Sequence, residues 1–473
     1  MLGLFNTLNL GTRALQANQI GLEVTGQNLS NVNNPDYARQ RVDLQAGTPL
    51  STAIGQEGTG VDVTAIQQVR DALLDGQIRD EASVGGYWNA QQSALTDAQT
   101  QLGEFLSLNT SATGNASGTA AGSGLSDRLN NLFNAFQSVA TSPTGISQRQ
   151  SLISQAQSLA SSLNQAAKNL SSLNDGLNAS VSKGVDSANQ LLSDIAQLNV
   201  QIARATASGG NANDLTDLRE KDLEQLAGLT NIQTAANNDG TVSISIGGVE
   251  LVSGQQVTDT LQAYDPGNGQ LQVRTATSGT PLTLSGGSIE GAIDARDGGV
   301  QTLRNNLDAL ASTLITQVND VYSAGYDLKG NTGAVFFTGT DASTIGVNSA
   351  LQNDPSALQA AGAANAPGDN SVALALAQLG QQPISALDNQ TFSATFAQDA
   401  GNFGFALSNA NNQAADHTAV DTMLRNQRGS VSGVSIEEEM SNLLTYQEAY
   451  QASAKIITSV DQMLQTVINM KTP

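Results

Sequence analysis

Four leucines, Leu8, Leu15, Leu22 and Leu29, recur every seventh residue near one end of the chain. Near the other end Ile436, Leu443, Tyr450, Ile457 and Leu464 keep the same interval. Seven-residue apolar spacing lines one face of an α-helix and suits packing against a second helix. It does not suit a strand, whose faces alternate every two residues. A helix is therefore expected from about residue 4 to 30, and another from Ser435 onward. Ser435 is the expected N-cap, with Glu438 three residues later completing a capping box. The row beside the leucines is weak (Leu4, Gly11, Asn18, Thr25), whereas Met440, Ala454 and Ile468 accompany the second repeat. The two rows span roughly 32 Å and roughly 42 Å at helical rise, so the ends can pair in either direction. One isolated pair leaves much of each helix uncovered, and ordering its backbone opposes folding. The ends are expected to be disordered in the monomer and to fold on assembly.

Between these ends the pattern is mostly helical. Asn31, Asn33, Pro35 and Tyr37 lie in a polar turn, where Pro35 disfavours helix at Asn34. Extended segments follow around Val42–Leu44 and residues 58–66. Helices are expected over 71–106, 126–140, 147–206 and 213–229, the last capped by Asn213 or Asp214. Residues 107–124 are rich in Ser, Gly, Ala and Thr and read as a loop. The long helix carries Leu163, Leu170, Leu177, Leu191 and Leu198 in one seven-residue row, with Gly184 interrupting. Val181, Ala188, Ile195 and Ile202 fill a companion row. Residues 231–288 change to alternating strands with Asn-Asp-Gly and Gly-Asn-Gly turns. Helix returns over 290–322 and again over 403–428. The expected fold class is mainly α, a long helical bundle with paired terminal coiled-coil helices and a small inserted β domain. The expected domains are 1–50 with 430–473, 51–230 with 289–429, and 231–288.

Composition narrows the function. The 473 residues carry a net charge of −22, with no basic footprint for nucleic acid and none for an anionic membrane surface. The chain has no cysteine, which removes disulfides, cysteine–zinc sites and thiol chemistry. Aromatic residues make up only 4%, so the core must rest on many aliphatic contacts. The first residues, Met1 to Asn6, lack the form of a secretory signal peptide. No apolar run reaches about 18 residues, so membrane insertion is not expected.

Chemical readings of single residues are weak. Glu437, Glu438 and Glu439 fall in the first turn of a helix, where acids complement the dipole better than they suggest a metal. His417 is the only histidine, and a solvated surface position is expected for it. Asp217 and Glu220 read as helix-surface charge. Tyr446 and Tyr450 share a helix face, and core packing is favoured over a partner contact. No catalytic, metal or cofactor residues are assigned, and the chain is read as a structural protein rather than an enzyme.

Several segments resemble the flagellar rod, hook and hook-associated axial proteins. Asn28-Leu29-Ser30-Asn31-Val32-Asn33-Asn34-Pro35-Asp36-Tyr37 is similar to that family's N-terminal signature, with Asn34 for the usual Thr and Asp36 for the usual Gly. Gly60-Val61-Asp62-Val63, Asp71 to Leu74 and Gly333 to Phe337 resemble its hook-associated members. So do Ser432 to Met440 and Leu443 to Ile457, with a tyrosine at 446 that rod and hook proteins usually lack. The resemblance implies a self-assembling adaptor between hook and filament. Its terminal helices would form an inner tube, with the β insert facing outward. Its partners would be copies of itself, the hook protein, and the next hook-associated or filament subunits. It also implies export by the flagellar type III apparatus to the cell exterior. An export chaperone would contact the face bearing Ile436, Leu443, Tyr446, Tyr450, Ile457 and Leu464. The alternatives are another axial subunit (hook, distal rod or flagellin) or an adhesin exported by the same route.

Overall fold

The computed structural model describes residues 2–52, 55–106 and 124–470. Most of the expected loop at 107–124 lies outside the described residues. The chain is mainly helical, with long helices at both ends and a small inserted region of short antiparallel strands. Helix α1 (Leu2–Ser30) leads into a two-stranded ribbon of β1 (Gln40–Ala46) and β4 (Val61–Gln68). A hairpin of β2 (Leu50–Thr52) and β3 (Gly55–Glu57) closes the far end of the ribbon. The body follows with α2 (Ala72–Leu106), α3 (Leu125–Thr141), α4 (Ile146–Ala207) and α5 (Asn213–Leu229).

The inserted strands are β5 (Gln233–Ala236), β6 (Val242–Ile246), β7 (Val249–Ser253) and β8 (Gln256–Val257), paired in that order. A second ribbon joins β9 (Leu261–Tyr264) to β10 (Gln272–Thr275). Next come α6 (Gly287–Asp294), a π-helical stretch (Ala295–Val300) and α7 (Gln301–Tyr322) as one continuous helix. A short pair, β11 (Phe337–Thr338) and β12 (Gly346–Val347), is followed by α8 (Ser349–Asn353) and α9 (Ser371–Leu379). The chain ends with α10 (Phe392–Ser432) and α11 (Ile436–Asn469). Helix α10 begins eleven residues before the sequence pattern suggests. Phe392, Phe396 and Ala400 are buried there among residues otherwise typical of loops, so tertiary packing overrides weak local preference.

Two cores share the long helix α4. Its buried positions step by alternating fours and threes from Leu152 through Leu163 and Leu170 to Leu173. Three successive steps of four follow, through Leu177 and Val181 to Val185. Such a stutter turns the apolar stripe around the helix. Up to Leu177 the stripe faces α2, α3 and α7, and from Val181 it faces α5, α6 and the inserted strands. This explains why Leu191 and Leu198, in register with Leu177, are only half-buried, while Val181, Ala188, Ile195 and Ile202 are buried. Gly184 lies inside the stutter. A methyl there would sit 2.7 Å from Ile289, so its lack of a side chain lets α6 approach.

The inserted strands are also tied to α4 by asparagines. Asn189 donates to the carbonyl of Leu261 and accepts from its N–H, both at 2.8 Å, as a neighbouring strand would. Asn178 does the same for Gly269 and Leu271. Asn199, fully buried, donates to Val242 and Gly254 and accepts from Val242 N. These asparagines stand about three turns apart on one face, so the helix satisfies backbone groups that the small sheets leave open. Fully buried Arg296, in the π-helical stretch, closes the same seam by donating to Asn178 Oδ1 and Leu271 O.

His417 is not a freely solvated residue. Its Nδ1 lies 2.7 Å from Glu81 Oε1, across the contact between α10 and α2, with the side chain only 24% exposed.

Candidate functional site

Helices α1 and α11 pack antiparallel: Gly11 meets Ile457, Asn18 meets Ser453, Gly21 meets Tyr446 and Asn28 meets Glu439. The line of closest approach on α1 is therefore the row that looked weak in the sequence, together with Gly21 and Asn28. Small residues there let the helices approach closely. A methyl on Gly21 would fall 2.6 Å from the Tyr446 ring. Leu8, Leu15, Leu22 and Leu29 lie beside this line, each half-buried. The opposite flank of α1 is covered by the ribbon. There Arg13 pairs with Asp62 at 2.8 Å, and Asn6 donates to Glu57. On α11, Leu443, Tyr446, Tyr450, Ile457 and Leu464 are half-buried and Ile436 is exposed. Met440 and Leu444 stand exposed to one side of the α1-facing line, Ile456 and Met463 to the other. Only Glu439, Ser453 and Val460 of α11 are buried. The terminal unit of α1, ribbon and α11 thus carries half-covered apolar flanks.

A polar joint connects this unit to the body. The turn after α1 is folded by Asn34, whose backbone N–H donates to Asn31 O and whose Oδ1 accepts from Asp36 N. Asn33 and Pro35 are exposed on its outside, while Asn31 is half-buried and donates through Nδ2 to Gln27 O. Tyr37 points inward, and its hydroxyl donates to Asn28 Oδ1 at 2.8 Å. Burial raises the Tyr37 hydroxyl above its ordinary pKa, and Asp214, Asp217 and Glu439 add to the shift. Buried Asn28 binds four groups at once: Tyr37, the Gln40 N–H and carbonyl, and Glu439.

Arg39 is central to the joint. Its N–H donates to Ser432 O and its carbonyl accepts from Val69 N, both at 2.8 Å. Its guanidinium reaches Glu438 and Glu439, also at 2.8 Å. Burial opposes that charge, but the two carboxylates outweigh it and hold the pKa above its ordinary value. The capping box is therefore half made. Ser435 Oγ accepts from Glu438 N, while the Glu438 carboxylate is on Arg39. The dipole reading of the three acids leaves out this second role.

The body's side of the joint is the start of α5. Neither Asn213 nor Asp214 caps that helix; Ala212 occupies the N-cap position and makes no side-chain bond. Asp214 instead accepts from Gln27 and Gln40, and Asn213 donates to Gln40 Oε1 and Ile66 O. Asp217 is not surface charge. It is 6% exposed and accepts from Arg70, Gln68 and Ala38 N. Burial pushes its carboxyl up, and the Arg70 contacts only partly offset this. Glu220 pairs with Arg79 at 2.6 Å. A groove of about 500 Å³ opens behind the turn, between residues 31–38 and the Arg425, Arg428 and Gly429 end of α10. The sequence pattern marks the turn, with Asn28 in its signature and Asp217 as a charge, but gives no sign of Arg39 or Arg70. The partners that give them their roles lie far along the chain: Glu439 for Asn28 and Arg39, and Asp217 for Arg70.

No helix among the described residues is long and apolar enough to cross a membrane. Among the same residues, no cluster of three or more acidic or histidine side chains could hold a metal ion.

Comparison with known proteins agrees with this architecture. Residues 427–470, the end of α10 and all of α11, match the family described as flagellar basal body rod FlgEFG protein C-terminal. That match likens the last helix of the chain to the C-terminal part of flagellar basal body rod proteins. Residues 110–337 match the flagellar hook-associated protein FlgK helical domain. The chain is 28% identical to flagellar hook-associated protein 1 of Bacillus subtilis, over 99% of both chains. It is 22% identical to the Escherichia coli protein of that name, over 98% of this chain and 99% of the other. The fold also matches a solved flagellar hook junction protein, FlgK from Burkholderia pseudomallei. There the TM-score is 0.63 at 18% identity, covering 75% of this chain and all of the other. Over nearly its whole length the chain is thus similar to flagellar hook-associated protein 1.

Proposed function

We propose that this protein is a structural adaptor of the flagellum, joining hook to filament, exported through the flagellar type III apparatus and located outside the cell. The observation that carries the reading is the terminal unit. Its helices cover each other along one line only and leave apolar residues on both flanks of α11 and along the Leu8, Leu15, Leu22 and Leu29 row of α1. Exposed apolar faces of this extent favour burial by neighbours. A ring or helical array of copies would cover both flanks of each pair at once. In this reading residues 1–50 and 430–473 form the inner tube, 51–230 with 289–429 the surrounding layer, and 231–288 the outermost part. Hook and filament subunits would meet the array at its two ends. Before assembly the Ile436, Leu443, Tyr446, Tyr450, Ile457 and Leu464 face would be held by an export chaperone. Nothing in this role requires catalysis.

Deleting the gene tests the reading. Electron microscopy is expected to show hooks without filaments, with unpolymerised filament protein in the medium. Normal filaments on the deletion strain would contradict it.

A further inference from the structure

The chain carries five methionines and no cysteine. Methionine is ordinarily among the more buried residue types. The four methionines among the described residues reverse that habit. Met423, Met440, Met463 and Met470 are all exposed, Met440 by 44% and Met463 by 50%. The two cores of the body hold no methionine among their buried residues.

Met440 and Met463 lie within α11, one in each of its exposed apolar strips. Met440 stands with Leu444 one turn further on, and Met463 stands between Ile456 and Val467. Neither methionine is on the line that meets α1, which runs through Glu439, Tyr446, Ser453 and Ile457.

An exposed thioether is open to peroxide. The sulfur takes one peroxide oxygen, the O–O bond breaks, and the other oxygen leaves as water. The sulfur is oxidised by two electrons to a sulfoxide and the peroxide is reduced by two. Leucine, isoleucine and valine have no such reaction, so within the two strips it is confined to the methionines. A sulfoxide facing water costs little, whereas one pressed into an apolar contact is a polar group without a partner.

We infer that Met440 and Met463 are modification sites through which a peroxide oxidant controls assembly. Oxidation of both in the free chain leaves its fold intact and blocks burial of α11 by neighbouring copies. The second effect rests on the adaptor reading above. Assembly in turn shields both sulfurs, and methionine sulfoxide reductases reverse the change.

The test treats the full chain with hydrogen peroxide before and after polymerisation and maps the oxygen additions by peptide mass spectrometry. In the free chain both sites should oxidise, with circular dichroism and thermal melting unchanged. In the polymer both should oxidise at least about tenfold more slowly. The oxidised chain should need a roughly tenfold higher concentration to polymerise, and reductase treatment should restore it. The double variant Met440→Leu with Met463→Leu nearly conserves volume and keeps the other methionines. It should polymerise equally well with and without peroxide. Failure of either site to oxidise in the free chain would overturn the inference, and so would unfolding of the oxidised chain. Undiminished polymerisation of the fully oxidised chain would also overturn it, as would loss of polymerisation in the peroxide-treated double variant. An untreated chain that does not polymerise would count against the adaptor reading and remove the assembly effect, while the oxidation map would still decide the two sites.

Discussion

The body and the terminal unit are built from the same kind of long helix, yet they solve burial differently. In the body, α4 is met on successive faces by other helices and by strands, and Leu152, Leu159 and Leu192 are fully enclosed. In the terminal unit α11 packs almost wholly on α1, and exposed apolar residues run from Met440 to Met470. Among the described residues of α1, the buried ones cluster toward the joint, at Ala17, Gly21, Val24, Thr25 and Asn28, with only Gly11 nearer the free end. One region encloses its own apolar residues; the other leaves many of them uncovered, and its free tip is the least supported part.

Core truncation separates the two regions most strongly. Leu159→Ala should lower the stability of the isolated chain by about 3–4 kcal/mol, as a cavity in an enclosed site does. Leu15→Ala should cost less than about 1 kcal/mol in the monomer yet impair assembly. Thermal unfolding and a polymerisation assay read the two effects. Equal thermal losses would remove the distinction.

Asn199→Ala should cost about 2–3 kcal/mol, because it removes the buried partner of the Val242 N–H and of the Val242 and Gly254 carbonyls. Local unfolding around residues 241–254, followed by hydrogen exchange, checks this. Gly21→Ala should weaken the α1–α11 pair by about 1–2 kcal/mol through collision with Tyr446. It should leave the melting of the body unchanged.

The smallest effect depends on pH. Burial, aided by Asp294 and Asp297, pushes the Glu290 carboxyl up from 4.5 to about 7. The folded chain therefore holds this proton more tightly than the unfolded chain. Its stability should fall as pH rises from 4.5 toward 7 and stay lower above that range. After solvent screening the effect should be about 1 kcal/mol. Glu290→Gln should be stabilising at pH 8 and neutral at pH 4, as read by denaturant unfolding.

Much of the fold was legible because its helices are long and their apolar spacing regular. The break at 433–435 and the change to strands after residue 231 were legible for the same reason. Three things were not. The stutter in α4 leaves both seven-residue rows readable, but the pattern alone does not say which row is covered where. The Asn178, Asn189 and Asn199 set looks like an ordinary polar face, since its meaning depends on backbone groups 43 to 93 residues away. The leucine row of α1 drew attention by its hydrophobicity, whereas close approach to α11 uses Gly11 and Gly21, whose value is their small size. Glu438, Glu439 and Asp217 were visible as charges, but the arginines that hold them come from distant segments.

Hydrogen exchange on the full chain, before and after polymerisation, tests the contrast most directly. Amides of α3 and α4 should be protected in both states, and those from Val24 to Gln40 substantially so in the monomer. Amides of residues 8–17 and 460–469 should exchange freely in the monomer and become protected only in the polymer. Full protection of those two tips in the monomer, unchanged on assembly, would contradict the account.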